Sequence, residues 1–573
     1  MSEQLNDLAD RYWKRVLWEN PTLATFYGVH DHDDRLEDLS TEAESAYRYD
    51  LIGLRDEVEA IDPSTLSAPE RVTRSLLLNQ IDVRVEAIDL RLVELASDHM
   101  DGPHAQLLMA APLLTYPLPE HALASIERYS QIPRLLGQAL DRFREGLAAG
   151  RTPVAAVIAR SVNALDRYLD TDIVNDPFLA ASVPQDWDGR DPWLIAMTEL
   201  VRDEIRPAFD VYRNVLRDEL LPAGRDETHP GICWIPDGEA IYDAFIHSYT
   251  STRASAQELH DIGRMIIESK LPTEYEQAAT RWFDGLGDAR PDVDPADLSA
   301  LFDFIRNAPQ LRHTDAAEII DIATSSIERA NAVTPEWFGR LPVARCEVSP
   351  VPDFLAADSP YAYYFPAAPD GTRPGTYFIN TASPTDASRA EAESIAFHEA
   401  IPGHHLQIAI SQELNSVPDF QKHEGNTAYV EGWALYAERL ADEMGLYSDE
   451  VARIGMLAAD SWRSARLVVD TGIHALGWSR RRAIDYFRDN TPVPMDQVES
   501  EVDRYIAIPG QALSYKVGQL EIERLRARSV ERLGDAFSIK NFHDTVLGSG
   551  AVTLPVLAEL VEESLQTAFS TSK

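Results

Sequence analysis

The stretch Phe397-His398-Glu399-Ala400-Ile401-Pro402-Gly403-His404-His405-Leu406-Gln407 decides the reading of this 573-residue chain. It opens like the zinc-binding pattern H-E-x-x-H, in which two histidines one helical turn apart hold the metal and the glutamate after the first is the general base. Here the next histidines come late: His404 is six positions after His398, and His405 seven. On a regular helix, residues seven apart share a face but lie roughly 10 Å apart along the axis. Two imidazoles, each about 2 Å from one ion, cannot be held that way. A metal site here therefore requires a deformed helix. Pro402 removes a backbone donor and disfavours helix at Ile401, while Gly403 tolerates unusual dihedrals. A bulge at Pro402-Gly403 brings either His404 or His405 back beside His398, and both remain candidates. Insertions of this kind inside helices tend to occur at functional sites.

The flanks fit helices. Ser383-Pro384-Thr385-Asp386 reads as a cap, a first-turn proline and a first-turn carboxylate, with Ala387, Ala390, Glu391, Ser394, Ile395 and His398 following at helical spacing. Beyond the bulge, Leu406, Ile408, Ala409 and Leu414 continue an apolar face. A second helix is expected from about Thr427 to Met444, stopped by Gly445. Near its start lies Glu431, where the third ligand of a His₂Glu zinc site is expected. Glu438, two turns later on the same face, is better placed to support a ligand than to be one.

The pair of motifs, His-Glu-x-x-Pro-Gly-His-His and then Glu431-Gly432-Trp433-Ala434-Leu435-Tyr436-Ala437-Glu438, resembles the bacterial domain-of-unknown-function 885 family (DUF885). Further matching segments are Arg11-Tyr12-Trp13, Gly28 to Ser40, Pro374 to Asn380, Arg466 to Gly472 and Pro509 to Lys516, so the resemblance covers nearly the whole chain. In motif order the family is similar to helical zinc peptidases such as angiotensin-converting enzyme and thimet oligopeptidase. Dipeptidyl peptidase III, with one extra residue in its motif, shows that a lengthened spacing still binds zinc. The resemblance implies His398 and Glu431 as ligands, Glu399 as base, and His404 or His405 as the remaining ligand.

Amide hydrolysis at zinc builds negative charge that calls for a hydrogen-bond donor besides the metal. Tyr515, beside the Pro509-Gly510 turn, is the first candidate, as related helical peptidases place a tyrosine at a comparable point; Tyr505 is the second. Lys516 and Arg466 are candidates for binding a substrate carboxylate, and Asp470 and His474, one turn apart, for supporting the site. Short strands are expected at Cys346-Glu347-Val348, Ala362 to Phe365 and Thr376-Tyr377-Phe378-Ile379, just before the metal helix. An edge of this sheet, including Tyr377, is placed to lay an extended peptide across the metal.

The expected fold is mainly α: a large helical metallopeptidase-like fold around a deep cleft, with a small β-sheet preceding the metal-binding helix. Residues 1–335 read as helical scaffold and cleft wall and 336–573 as the metal-site region, within one integrated unit. A net charge of −42 opposes nucleic-acid binding. No apolar run approaches a membrane span. The N-terminal residues lack the pattern of a secretory signal, and cytoplasmic residence is the expectation. Cys233 and Cys346 are the only cysteines and make no disulfide scaffold. His30-Asp31-His32-Asp33-Asp34 has a metal-like composition but reads as a solvated turn. Together these features point to a zinc-dependent peptidase with one Zn²⁺ per chain acting on a short peptide or small amide. The alternatives are a metal-dependent hydrolase of other amides or esters and a catalytically silent binding protein.

Overall fold

The structure is a computed structural model that describes residues 3–352, 360–367, 373–414 and 417–571. It is mainly helical, with a single three-stranded sheet among the described residues. No described helix is long and apolar enough to cross a membrane. The principal apolar core gathers side chains from both ends of the chain, among them Leu5, Tyr12, Phe397, Trp433, Val468 and Leu557. It therefore crosses position 335 without a break. A second core, from Leu36 to Leu220, binds the helices of the first half together.

The strands are β1 (Cys346–Pro350), β2 (Ala362–Phe365) and β3 (Gly375–Ile379). β3 is central, parallel to β1 and antiparallel to β2, with Tyr377 opposite Val348 on one side and Tyr364 on the other. Tyr377 and Ile379 pack into an apolar cluster with Ile319, Ala323, Ala396 and Ala400. The sheet is thereby fixed directly behind the helix that carries His398.

Three further helices frame the site. The glutamate helix (Thr427–Glu443) is capped by Asn426, whose side chain accepts from the Tyr429 amide, and it ends at Met444 before Gly445 at φ +71. The central helix (Glu450–His474) is capped by Asp449 and is buried on nearly all sides, as befits a helix surrounded by others. The tyrosine helix (Ser514–Leu533) follows a left-handed turn at Gly510. It crosses the glutamate helix at Gly432 and Gly518, where a Cβ on Gly432 would lie 2.4 Å from Gly518 Cα and one on Gly518 1.7 Å from the Ala428 carbonyl. Only glycine allows the backbone carrying Glu431 to approach the helix carrying Tyr515 this closely.

Candidate metal centre

The H-E-x-x-P-G-H-H segment forms two helices with a break between them. The motif helix (Ala392–Glu399) ends at Ala400, and a second helix (His404–Gln412) starts at His404 itself. The four intervening residues fold back on the first helix. A Cβ on Gly403 would lie 1.9 Å from the His398 carbonyl oxygen and 2.4 Å from that of Phe397, so the fold-back needs glycine. Trp433 Nε1 donates to the Pro402 carbonyl at 2.9 Å and ties the break to the glutamate helix.

The motif helix starts later than the sequence suggests. Pro384–Asp386 form a turn, and Ser388 pairs in an isolated bridge with Arg312. The Arg389 amide donates to the Leu311 carbonyl, and Gly455 of the central helix lies against the Ala390 carbonyl. These long-range contacts hold residues 383–391 out of helix and override the local cap signal.

The fold-back brings His398, His404 and Glu431 together, with one ligand atom from each within 4.8 Å of the others. The Nε2 atoms of His398 and His404 each lie 3.6 Å from Glu431 Oε2, and the two rings meet nearly at right angles. Bonds of about 2.1 Å in a tetrahedron imply ligand separations of about 3.4 Å. The donor set thus fits a zinc-sized ion. Both histidines are buried and Glu431 is largely so.

His398 Nδ1 is 2.8 Å from Glu438 Oε1, and Ser394 donates to the other Glu438 oxygen at 2.7 Å. This bond fixes the ring and leaves Nε2 facing Glu431, the carboxylate–histidine arrangement that orients metal ligands. Burial opposes a charge on His398, but hydrogen bonds to Glu431 and Glu438 outweigh it and raise its pKa to about 9. Burial likewise opposes ionisation of Glu431, and the two histidines outweigh it and hold the carboxyl far below its usual range.

His405 does not belong to it. Its Nδ1 is 2.9 Å from the Tyr364 hydroxyl and its Nε2 donates to the Ala344 carbonyl at 3.1 Å, so both nitrogens are used. Burial lowers its pKa to about 4. His404 is the residue brought to His398, and His405 anchors the sheet.

Glu399, at the end of the motif helix, lines a cleft of about 750 Å³ together with Tyr361, Ala362, Glu391, Trp462 and Arg463. β2 thus borders the cleft as a sheet edge. A broader concavity of about 1000 Å³, between helices Glu3–Glu19 and Thr41–Glu59, contains none of the clustered residues. Tyr377 is wholly buried behind the motif helix and does not reach the cleft.

Tyr515 lies close enough to Glu431 to feel its charge. Burial first, and then Glu431, raise its hydroxyl above the usual phenol range, so it is a protonated donor at neutral pH. The Arg466 guanidinium sits 4.3 Å from the centre of the Tyr515 ring. Arg466 is buried, and it donates to the Tyr505 hydroxyl at 2.9 Å and to Glu501 at 3.1 Å. It holds Tyr515 in place and is not free for a substrate carboxylate. Tyr505 is also committed: its hydroxyl donates to Glu501 at 2.7 Å and accepts from Trp462 and Arg466. It is a brace, not an oxyanion donor. Lys516 is buried against Asp460, which also pairs with Arg439, and so is structural.

Asp470 and His474 are not a surface pair. Asp470 is fully buried, accepts from Tyr242 at 2.5 Å and from the Gly510 amide at 3.1 Å. His474 donates from Nε2 to the Tyr505 carbonyl at 2.9 Å and accepts on Nδ1 from the Ile232 amide at 3.2 Å. Both pin the turn that delivers Tyr515, at one remove from the metal cluster.

Near the N-terminus, His30, Asp33 and His121 also lie within reach of one another. The segment is a turn with Asp31 and Asp34 exposed, as expected, but Asp33 points inward and is buried. The two rings stack in parallel at 4.2 Å, which aims their lone pairs side by side instead of at a common point. Asp33 is already bonded to Thr25 at 2.5 Å and to His30 at 2.8 Å, with Arg128 at 3.5 Å. This cluster joins elements and has the wrong geometry for an ion.

Beyond Glu438, which the helical spacing marks, sequence reasoning missed the residues that fix these ligands. Ser394 stands one turn before His398, a legible signal. Trp433, Gly432 and Gly518 act through contacts between distant segments, and no local pattern marks them.

The mainly helical fold thus sets the His398–His404–Glu431 cluster beside a cleft lined by Glu399. The sequence matches the family described as "Bacterial protein of unknown function (DUF885)" over residues 21–561, and the chain belongs to that family. A search of curated proteins finds no match. Among solved structures, the fold is similar to that of a candidate lipoprotein from Colwellia psychrerythraea, at 24% identity and a TM-score of 0.88, covering 99% of this chain and 100% of that one. It is also similar to a candidate lipoprotein of unknown function from Shewanella oneidensis, at 17% identity and a TM-score of 0.78, covering 98% and 100%.

Proposed function

We propose that the chain is a zinc-dependent peptidase acting on short peptides. The observation that carries this reading is the convergence of His398 Nε2, His404 Nε2 and a Glu431 oxygen within 4.8 Å, beside a cleft lined by Glu399. His398, His404 and Glu431 would hold one zinc ion. When bound, the ion supplies a Lewis acid charge and lowers the pKa of water.

Glu399 takes the proton of the attacking water on its carboxylate and hands it to the leaving amine. Tyr515, protonated and aimed by Arg466, donates a hydrogen bond to the oxygen on which negative charge develops. Glu438 keeps the His398 ring oriented. The β2 edge and the cleft receive an extended peptide. The same machinery would hydrolyse a small non-peptide amide. The reading includes no nucleic-acid or membrane partner. The proposed location is the cytoplasm, and the names of the two structural neighbours make the cell envelope the competing one; fractionation decides between them.

The test is Glu399→Gln in the zinc-loaded protein against a panel of short peptides. Hydrolysis by the wild type that falls at least a hundredfold, with zinc retained, supports the reading. No hydrolysis by the zinc-loaded wild type, or undiminished hydrolysis by the variant, refutes it.

A further inference from the structure

The floor of the cleft is one face of the motif helix. Glu391, Ile395 and Glu399 recur every fourth residue, and all three line the cavity. Two turns of helix separate Glu391 from Glu399, about 12 Å. At the Glu391 end the central helix contributes Arg463, which lines the same cavity and is only 8% exposed.

Its guanidinium is under-used. The plane stacks on Trp462 at 4.4 Å, NH1 donates to the Ala459 carbonyl of its own helix at 3.3 Å, and the buried Nε has no hydrogen-bond partner. No carboxylate lies within 4 Å of it among the described residues. One turn further on, Arg466 is paired with Glu501, and earlier in the helix Arg453 is paired with Asp442 and Glu450. Glu391 is near enough for its charge to interact with Arg463, but its side-chain hydrogen bond goes to Ser388 and it forms no ion pair with the guanidinium. A buried guanidinium with a donor left unbonded is costly. The planar fork of arginine fits a carboxylate with two parallel hydrogen bonds.

We infer that Arg463 receives a substrate carboxylate about three residues from the bond that is cut. The span follows from the helix: about 12 Å corresponds to roughly three residues of extended chain at 3.3–3.6 Å each. The carboxylate is that of a peptide C-terminus or of an acidic side chain. This rests on the peptidase reading of the metal centre and makes the cleft selective for peptides that end, or carry an acid, at that distance.

The experiment is titration calorimetry on the zinc-loaded E399Q protein, so that binding is measured without turnover. Three N-acetylated alanine pentapeptides are compared: the free acid, its C-terminal amide, and an amide ending in aspartate. The free acid, the aspartyl amide or both are expected to bind at least tenfold tighter than the plain amide, as a charge-assisted bidentate contact provides. Which of the two does so identifies the source of the carboxylate. Adding R463M is expected to erase the preference while zinc content and melting temperature stay unchanged, and adding R463K to retain part of it. Equal binding of all three peptides, no binding of any, or a preference that survives R463M overturns the assignment. Hydrolysis by the unmodified protein is read separately. Binding without hydrolysis refutes the peptidase reading and leaves Arg463 assigned; hydrolysis without a carboxylate preference does the reverse.

Discussion

Gly403→Ala isolates the step by which a lengthened motif becomes a metal site. The added methyl would lie 1.9 Å from the His398 carbonyl oxygen and 2.4 Å from that of Phe397. A carbon needs about 3.3 Å from such an oxygen, so the fold-back must open by about 1.4 Å. Metal–ligand distances are held to within about 0.2 Å, and His404 begins its helix at the very next residue. The shift therefore passes directly into the separation of His404 from His398. The expected result is a fall in zinc affinity of at least a hundredfold, or about 3 kcal/mol. The methyl is also expected to cost about 1–3 kcal/mol of stability through overpacking. Competition for zinc against a chromogenic chelator measures the first, and circular dichroism melting measures the second. A G403A protein that binds zinc within threefold of the wild type would refute the claim that this close approach sets the ligand geometry.

Other residues give distinct signatures. E438Q removes the carboxylate that orients His398 and is expected to weaken zinc binding by roughly 10- to 100-fold without unfolding the protein; unchanged affinity removes Glu438 from the site. Y515F is expected to lower kcat by roughly 10²–10³ and leave KM nearly unchanged, and a loss confined to KM contradicts an oxyanion role. Burial raises the Asp470 carboxyl to about 7, against the lowering hydrogen bonds from Tyr242 and Gly510. With an unfolded value of about 4, the folded state binds more protons between pH 4 and 7, so stability is lost as the pH rises through that window. D470N, always neutral, is expected to flatten the fall in Tm from pH 5 to 8, and identical pH slopes in the two proteins refute that assignment.

Much of the site could be read from the sequence because its chemistry is local. His398 and Glu399 are adjacent, Glu431 falls on a helix whose stop at Gly445 is legible, and Glu438 follows at helical spacing. The choice between His404 and His405 was not legible. It depends on where the second helix begins and on Tyr364 and Ala344, which claim His405 from 41 and 61 positions away. The partners of Lys516, Arg466 and Tyr505 are not legible for the same reason. Asp460, Glu501 and Trp462 come from other turns or other helices, and spacing alone cannot show that a charge is already paired. The misplaced start of the motif helix shows a plausible cap at Ser383 yielding to tertiary contacts at Ser388, Arg389 and Ala390. Arg463 has no local signal at all; only its burial beside the cleft with an unbonded Nε draws attention to it.

The central claim is a three-residue metal centre completed by His404. The direct measurement is zinc content by elemental analysis of the wild type and of H398A, H404A, H405A and E431A after zinc loading and removal of free metal. About one zinc per chain is expected in the wild type and in H405A, and essentially none in the other three. Zinc lost from H405A but kept by H404A, or a wild type that takes up no zinc, would contradict it.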